Sequence, residues 1–347
     1  MSDIIIKVTL TDIARELNIT AATVSRALSD HPGIKESTKK RVKEAAARLN
    51  YQPNKIASSL RLGRSRIIGV IIPSAEINFF GSVVHGIERI ANENNYNVLI
   101  FQTNELYEDE KRGVQTFLQS RVDGVLASIS KESMNLDHFS EIKRRGVPLI
   151  LFDRASDLLG VSSVVVDDYA GAFEATKHLI EQGCHRIAHI GGQQHVSIFN
   201  QRLKGYIDAL NVHGLPVDDD LIIYGKVGIE SGRECMNRLL SGRKLPDAVF
   251  AVEDYTALGA MQAIKSANKK IPDEIAIIGF ANETFGEYLT PSLSTVNQQT
   301  VSMGEEAAKL FFNGLRKGDP YANKPLKLVL EPKLICREST LKRYTKT

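Results

Sequence analysis

The chain has 347 residues, 43% of them hydrophobic and 24% charged, with a formal net charge of +3. At roughly 100–200 residues per domain this length allows two or three folded units, and the apolar share suits packed cores rather than a disordered chain. No stretch approaches ~18 uninterrupted apolar residues, and the amino terminus lacks the charged-then-apolar layout of a secretory signal, so a cytoplasmic protein that crosses no membrane is expected.

The small net charge hides an asymmetry. Residues 1–66 hold 13 Lys plus Arg against 6 Asp plus Glu, or +7, whereas residues 67–347 hold 31 against 35, or −4. A basic head on a mildly acidic body suits a polyanionic partner, because each cation placed near a phosphate releases condensed counterions. Within the head, Thr9 can cap a first helix whose Leu10, Ile13, Ala14 and Leu17 fall at helical spacing, and Asn18 suits the left-handed position that stops it. Thr20 can cap a second helix with Ala21, Val24 and Leu28 inward, which leaves Ala22, Thr23, Ser25 and Arg26 outward, able to enter a major groove. A third helix is expected over Lys35 to Leu49, apolar at Val42, Ala45, Ala46 and Leu49 and lysine-rich elsewhere. Such an amphipathic trio also occurs as ordinary helical core; the charge asymmetry favours DNA.

The segment TDIARELNITAATVSRALS, then YQPNKIASSLRLG at Tyr51 to Gly63 and RIIGVIIP at Arg66 to Pro73, resembles the lactose-repressor (LacI/GalR) family of bacterial transcription regulators. The three signals stand in that family's order and spacing. From Pro53 to Leu60 a very short apolar stripe of Ile56, Ala57 and Leu60 predicts a helix that cannot stand alone, since isolated helices below ~12–15 residues are marginal in water. The resemblance implies a hinge helix here, with Leu60 wedged into the minor groove at the operator centre and Asn54, Lys55, Ile56 and Ala57 beside it on the DNA. Expected boundaries are 1–52 for the helix-turn-helix head, 53–66 for hinge and linker, and 67–347 for the body.

The body alternates apolar β-branched runs with helical stretches. Strands are predicted at Ile67 to Ile72, Asn97 to Gln102, Gly124 to Ala127, Pro148 to Phe152, Val164 to Val166, Arg186 to Ile190, Leu221 to Tyr224, Ala248 to Val252 and Ile275 to Phe280. Helices between them include Gly81 to Asn94, Asp109 to Ser120, Tyr169 to Gln182, Arg202 to His213 and Thr256 to Ala267. Continuous apolar strands separated by helices mean parallel sheets covered on both faces, and a pattern that restarts near Val164 gives two doubly wound lobes of an α/β fold. The resemblance implies a periplasmic-binding-protein-like (type I) body whose chain crosses between lobes near 167, 297 and 327. The first lobe would comprise about 67–167 and 298–327, the second about 168–297 and 328–347.

Ligands of open parallel sheets bind beyond the carboxyl ends of the strands. Phe79 and Phe80, which could stack on a ring or merely pack beneath the next helix, follow the first strand; Asp153 follows LILF; Asn200 and Arg202 open a later helix; and Glu253 and Asp254 follow AVFAV. An arginine at 202 could clamp a ligand oxygen, and the resemblance implies an effector contact there, whereas Asp254 could be only a helix cap. Phe280, Ala281 and Asn282 end the IIGF strand, where the family usually has an aspartate after the aromatic residue; Ala281 stands in that place. That loss, set beside Glu253, speaks against carrying over any one known sugar, but a sugar or sugar derivative remains the first expectation for the effector, ahead of a nucleobase, a phosphorylated metabolite or a partner protein.

Gly191-Gly192 falls short of a phosphate-binding loop and no Ser/His/Asp set stands in a GxSxG context, so no enzyme and no cofactor are expected. A plain sugar carrier conflicts with the basic head. The clustered His178, His185, His189 and His195 lack a carboxylate at zinc-ligand spacing, so no metal is expected, and Cys184, Cys235 and Cys336 are expected to be free buried thiols. CRESTLKRYTKT at the carboxyl end has no heptad seam, which makes a homodimer on palindromic double-stranded operator DNA the default assembly.

Overall fold

A computed structural model describes residues 8–51, 63–318 and 320–341. The chain divides into two compact units, 1–65 and 66–347. The predicted hinge helix, with Asn54, Lys55, Ile56, Ala57 and Leu60, lies outside the described residues.

In the first unit, helices α1 (Leu10–Leu17), α2 (Ala21–Leu28) and α3 (Glu36–Arg48) form where the apolar spacing placed them. Ile13, Ala14, Val24, Ala27, Val42, Ala45 and Ala46 make a common core, and four alanines among the seven let the helices approach closely. Thr9 donates through its backbone and its hydroxyl to Asp12 Oδ2, at 2.9 and 2.7 Å, which fixes the start of α1. Asn18 ends it in the left-handed region at φ 52°, a conformation that asparagine tolerates better than most residues.

The second unit contains a six-stranded parallel sheet ordered β11-β5-β4-β3-β1-β2 and a four-stranded parallel sheet ordered β7-β6-β8-β9. The first sheet is built from β1 (Ile67–Ile72), β2 (Asn97–Gln102), β3 (Gly124–Ala127), β4 (Leu149–Phe152), β5 (Ser162–Val166) and β11 (Lys327–Leu330). The second is built from β6 (Ile187–Gly191), β7 (Ile222–Tyr224), β8 (Ala248–Ala251) and β9 (Ala276–Ile278). Strands β3, β4 and β8 are buried along their whole length, as continuous apolar runs covered on both faces should be. Helices α4 (Asn78–Glu93), α5 (Tyr107–Gln119) and α6 (Asp137–Arg144) follow β1, β2 and β3. Helices α7 (Asp168–Glu181), α8 (Ser197–Val212), α9 (Ile229–Leu240) and α10 (Asp254–Ser266) follow β5, β6, β7 and β8.

Helix α11 (Thr300–Lys317) follows β10 (Thr295–Asn297), a short strand that pairs antiparallel with β12 (Lys333–Ile335). β11 joins the first lobe's sheet beside β5, so the third passage between lobes falls after Leu330 rather than near 327. Three-residue strands such as β10 and β12 are too short to show a period of two, and β11 alternates exposed and half-buried residues at a sheet edge. Unlike the similarly short β7 and β9, which lie in apolar runs, these three strands carry no signal that stands out from loop sequence.

Cys184 and Cys235 are buried thiols, but Cys336 is exposed: it follows β12 at the surface, with Sγ 3.6 Å from His178 Nδ1. The expectation of three buried thiols is corrected at that position. His189 is enclosed in β6 between the rings of Tyr206 and Phe250, with Nδ1 3.0 Å from the Phe250 carbonyl, and burial pushes its pKa down to about 4. It is a neutral core histidine.

Candidate functional site

In the head, the Thr20 hydroxyl accepts the Thr23 N–H at 3.1 Å and lies 2.9 Å from the Thr23 hydroxyl, so both side chains are engaged in starting α2. Val24 and Ala27 are buried, Ala21, Thr23 and Ser25 are half-buried, and Ala22 and Arg26 are exposed one helical turn apart. On the first helix Thr9 is exposed and Leu10 half-buried. Several cations of the head are neutralised locally: Arg15 by Asp12, Lys39 by Glu36, Lys43 by Asp30 and Arg48 by Glu16. Among the described residues Arg26, Lys35, Lys40 and Arg41 form no ion pair and are exposed, which leaves their charge for phosphates. Charge counting alone does not separate these two groups.

In the body, a cavity of about 70 Å³ opens between the two sheets beyond the carboxyl ends of their strands. The first lobe contributes Ile77, Phe79 and Phe80 at the start of α4, Lys131 after β3, and Asp153 and Arg154 after β4. The second contributes Ile198, Phe199 and Arg202 from α8, Val227 after β7, Glu253 after β8, and Ala281 and Glu283 after β9, with Gln298 at the crossing. Six of the ten expected effector residues thus meet in one place: Phe79, Phe80, Asp153, Arg202, Glu253 and Ala281.

The other four sit elsewhere, for separate reasons. Asn200 is exposed on α8, which starts at Ser197 rather than Arg202, so that its early turns present Phe199 and Arg202 to the interior instead. Phe280 is fully buried with its ring beneath the Arg202 guanidinium, 3.8 Å from centroid to Cζ. Asn282 accepts from Arg337 Nη2 at 2.9 Å through its side-chain oxygen. Asp254 is fully buried behind the site, where Oδ1 accepts the Thr295 hydroxyl and Oδ2 the Glu283 N–H, both at 2.7 Å.

Arg202 is 2% exposed and heavily committed. Nε and Nη2 both reach Asp168 Oδ1, at 2.8 and 2.7 Å, Nη1 donates to the Val252 carbonyl at 2.7 Å, and Nη2 is 3.3 Å from Gln298 Oε1. Only the second hydrogen on Nη1 is left for a ligand. Burial pushes the Asp168 pKa up to about 6 even though Arg202 pulls it down. Glu253 caps α10, its carboxylate accepting the Tyr255 N–H at 2.8 Å together with the N–H and hydroxyl of Thr256. Burial also raises the Asp153 pKa, against the pull of Arg154 and Arg202 and of the Ser128 hydroxyl at 3.2 Å.

The pKa of Asp254 is pushed up to about 7 by burial, which outweighs its two hydrogen bonds. A carboxyl whose folded pKa exceeds its unfolded value near 3.8 stabilises the fold while protonated, and that contribution fades as pH rises from about 4 through about 7. Asparagine at this position can still accept from the Glu283 N–H and donate to Thr295. Asp254→Asn is therefore expected to flatten the stability loss across that window, read as urea midpoints from pH 4 to 8. Gly279 has no side chain because a Cβ there would overlap Asp254 Oδ1.

Direct contacts close the cleft, among them a hydrogen bond between Tyr255 and the Asn78 backbone. Phe79 N–H donates to Glu283 Oε1 at 3.1 Å, Asn78 Nδ2 to Thr284 Oγ1 at 3.3 Å, and His195 Nε2 lies 2.7 Å from the Lys131 carbonyl. Sequence reasoning missed Glu283 and Lys131, whose roles depend on a surface from the opposite lobe. The GFANE run that lacks the family's aspartate at 281 carries a carboxylate two residues later, and that was the available signal.

Residues 9–54 match the lacI family of bacterial regulatory proteins, and residues 176–340 match the periplasmic binding protein-like domain. Catabolite control protein A of Priestia megaterium is 32% identical over 311 residues, spanning 89% of this chain and 93% of the relative. Among solved structures, a CelR–cellobiose complex aligns with TM-score 0.72 and 28% identity over 96% of this chain and 100% of its own. A lac repressor dimer bound to operator and the anti-inducer ONPF aligns with TM-score 0.86 over 97% and 100%; at 24% identity it shows the shared fold. The fold and sites define a DNA-binding transcription regulator with an effector-binding body. The chain belongs to the lacI family of bacterial regulatory proteins.

Proposed function

We propose that two subunits of this chain bind a palindromic operator in the cytoplasm as a repressor, and that a sugar or sugar derivative held between the lobes controls the binding. The observation that carries the reading is the pairing of four cations that form no ion pair among the described residues of the head with a cavity lined by apolar and charged side chains, whose two walls are joined by direct hydrogen bonds. A ligand in that cavity adds contacts to the closed form and so shifts the lobes by its differential affinity, with a coupling of typically ~1–3 kcal/mol. The cellobiose held by CelR supports a sugar as the class of ligand. Exposed apolar residues on two of the edge strands, Leu99 and Ile100 of β2 and Tyr224 of β7, support association through the body. No helix among the described residues is long and apolar enough to cross a membrane. The sequence supports no catalytic set.

In the bound dimer each α2 lies in a major groove with Ala22 and Arg26 toward the base edges, and the Leu60 wedges occupy the centre between them. The test is fluorescence polarisation on a duplex selected from random palindromes, with and without a sugar panel. A sugar that weakens binding is an inducer and one that strengthens it a corepressor. Operator affinity unmoved by every compound that calorimetry shows to bind would remove the control mechanism.

A further inference from the structure

Glu283 is 2% exposed, and its two oxygens have different surroundings. Oε1 accepts the Phe79 N–H across the cleft at 3.1 Å. Oε2 is buried and meets no hydrogen bond of good geometry among the described residues; the neighbouring Asn78 amide donates to Thr284 and draws the carboxyl's pKa down only weakly against burial. Leaving a buried acceptor unmet costs about 1–3 kcal/mol, so such an atom lining a cavity is a place for a ligand donor. On the facing wall Arg154 Nε is likewise buried without a hydrogen-bond partner, 3.8 Å from Asp153 Oδ2. The cavity thus offers one unmet acceptor and, with the spare hydrogen on Arg202 Nη1, two donors, set among Phe79, Phe80 and Phe199.

The charges around it are unfavourable to an anion. Its three cations are already held: Arg154 by Glu105 at 2.7 Å, Lys131 by Glu105 at 3.3 Å, and Arg202 by Asp168 at 2.7 Å. Against them stand five carboxyl groups, Asp153, Glu253 and Glu283 in the lining with Glu105 and Asp168 behind. Burial raises Asp153, Glu283 and Asp168, the last to about 6, so above that pH, with Asp168 ionised, protonating the other two brings the balance only to neutral. A phosphate entering here would lose its water with no uncommitted cation to replace it. A ring bearing hydroxyl groups supplies the missing donor and acceptor at no such cost.

We propose that Glu283 selects the effector, latching the lobes through Oε1 while Oε2 accepts a hydroxyl of an uncharged polyhydroxylated ligand, and that the cleft rejects phosphorylated counterparts. This rests on the reading of the cleft as an effector site and narrows the chemical class that it takes. The full-length protein is titrated by calorimetry and thermal shift with matched pairs: ribose and ribose 5-phosphate, glucose and glucose 6-phosphate, cytidine and cytidine 5′-monophosphate, with cellobiose and inorganic phosphate alongside. At least one neutral member is expected to bind, and its phosphorylated counterpart to bind at least tenfold more weakly.

Glu283→Gln keeps an oxygen for the Phe79 N–H but puts an amide donor where Oε2 stands. It is expected to weaken the neutral ligand tenfold or more while the unliganded melting temperature stays within a few degrees. Glu283→Ala, which also removes the latch, should weaken binding at least as much. Equal affinity in wild type and Glu283→Gln overturns the role of Glu283, and a phosphorylated compound that binds as tightly as its neutral partner overturns the charge argument. If no compound binds, both this proposal and the effector reading beneath it fail together.

Discussion

Replacing Arg202 by alanine is expected to destabilise the body by ~3–5 kcal/mol, because it strands a carboxylate in the interior. Asp168 is buried, its pKa already stands at about 6 with the guanidinium beside it, and the Val252 carbonyl, Gln298 and the face of Phe280 lose their partner at the same time. The deficit has a direction in pH. A carboxyl with a raised folded pKa contributes stability below the unfolded value near 3.8 and loses it as pH rises through the folded pKa. Without Arg202 that folded pKa moves higher still, so urea midpoints should show a larger gap between variant and wild type at pH 8 than at pH 5. Adding Asp168→Asn should restore much of the loss. A variant as stable as wild type at pH 8 would mean that the ion pair contributes little. From sequence, Arg202 reads as a ligand clamp whose removal silences the ligand response and leaves basal DNA binding alone; its partners make it first a support for the cleft wall.

Operator affinity is expected to fall about 10³–10⁵-fold between 50 and 200 mM salt if the paired heads make 6–10 phosphate contacts, a number within reach of the four cations that form no ion pair among each head's described residues. Within that electrostatic binding Arg26 has a separable part. It is exposed on α2 one turn beyond Ala22, on the side opposite the buried Val24 and Ala27. If it reads a base edge, Arg26→Ala should cost about 1–3 kcal/mol on the selected operator and relax the preference at one position. A loss of equal size on every duplex, with a shallower salt slope, would make it a phosphate contact instead. Leu60→Ala, by the wedge reading, should weaken operator binding strongly and leave dimerisation and ligand binding intact.

The strands from β1 to β9 and the three helices of the head were legible because their apolar spacing is local: a period of 3.6 or an unbroken apolar run declares itself within a few residues. The helices of the body were legible in kind and less so at their ends. α8 starts five residues before Arg202, with no side-chain cap to mark its first residue. β11 and the β10–β12 pair were not legible, since short, half-exposed strands are defined by partners distant in sequence. Cys336 shows the same limit, its exposure being set by the surface position after β12.

The amino-acid order by itself determined that a basic three-helix head precedes two parallel-sheet lobes, because helix periodicity, strand hydrophobicity and charge density are properties of neighbouring residues. It also named six effector candidates that the fold brings together around one cavity. Only the tertiary structure decided what those side chains do: that Glu253 caps a helix, that Asp254 and Phe280 lie behind the wall, that Arg202 is tied to Asp168, and that Glu283 bridges the lobes. The physical reason is that hydrogen bonding and desolvation depend on groups far apart in the chain. A buried charge acquires its role from whichever atom the fold sets within about 3 Å of it.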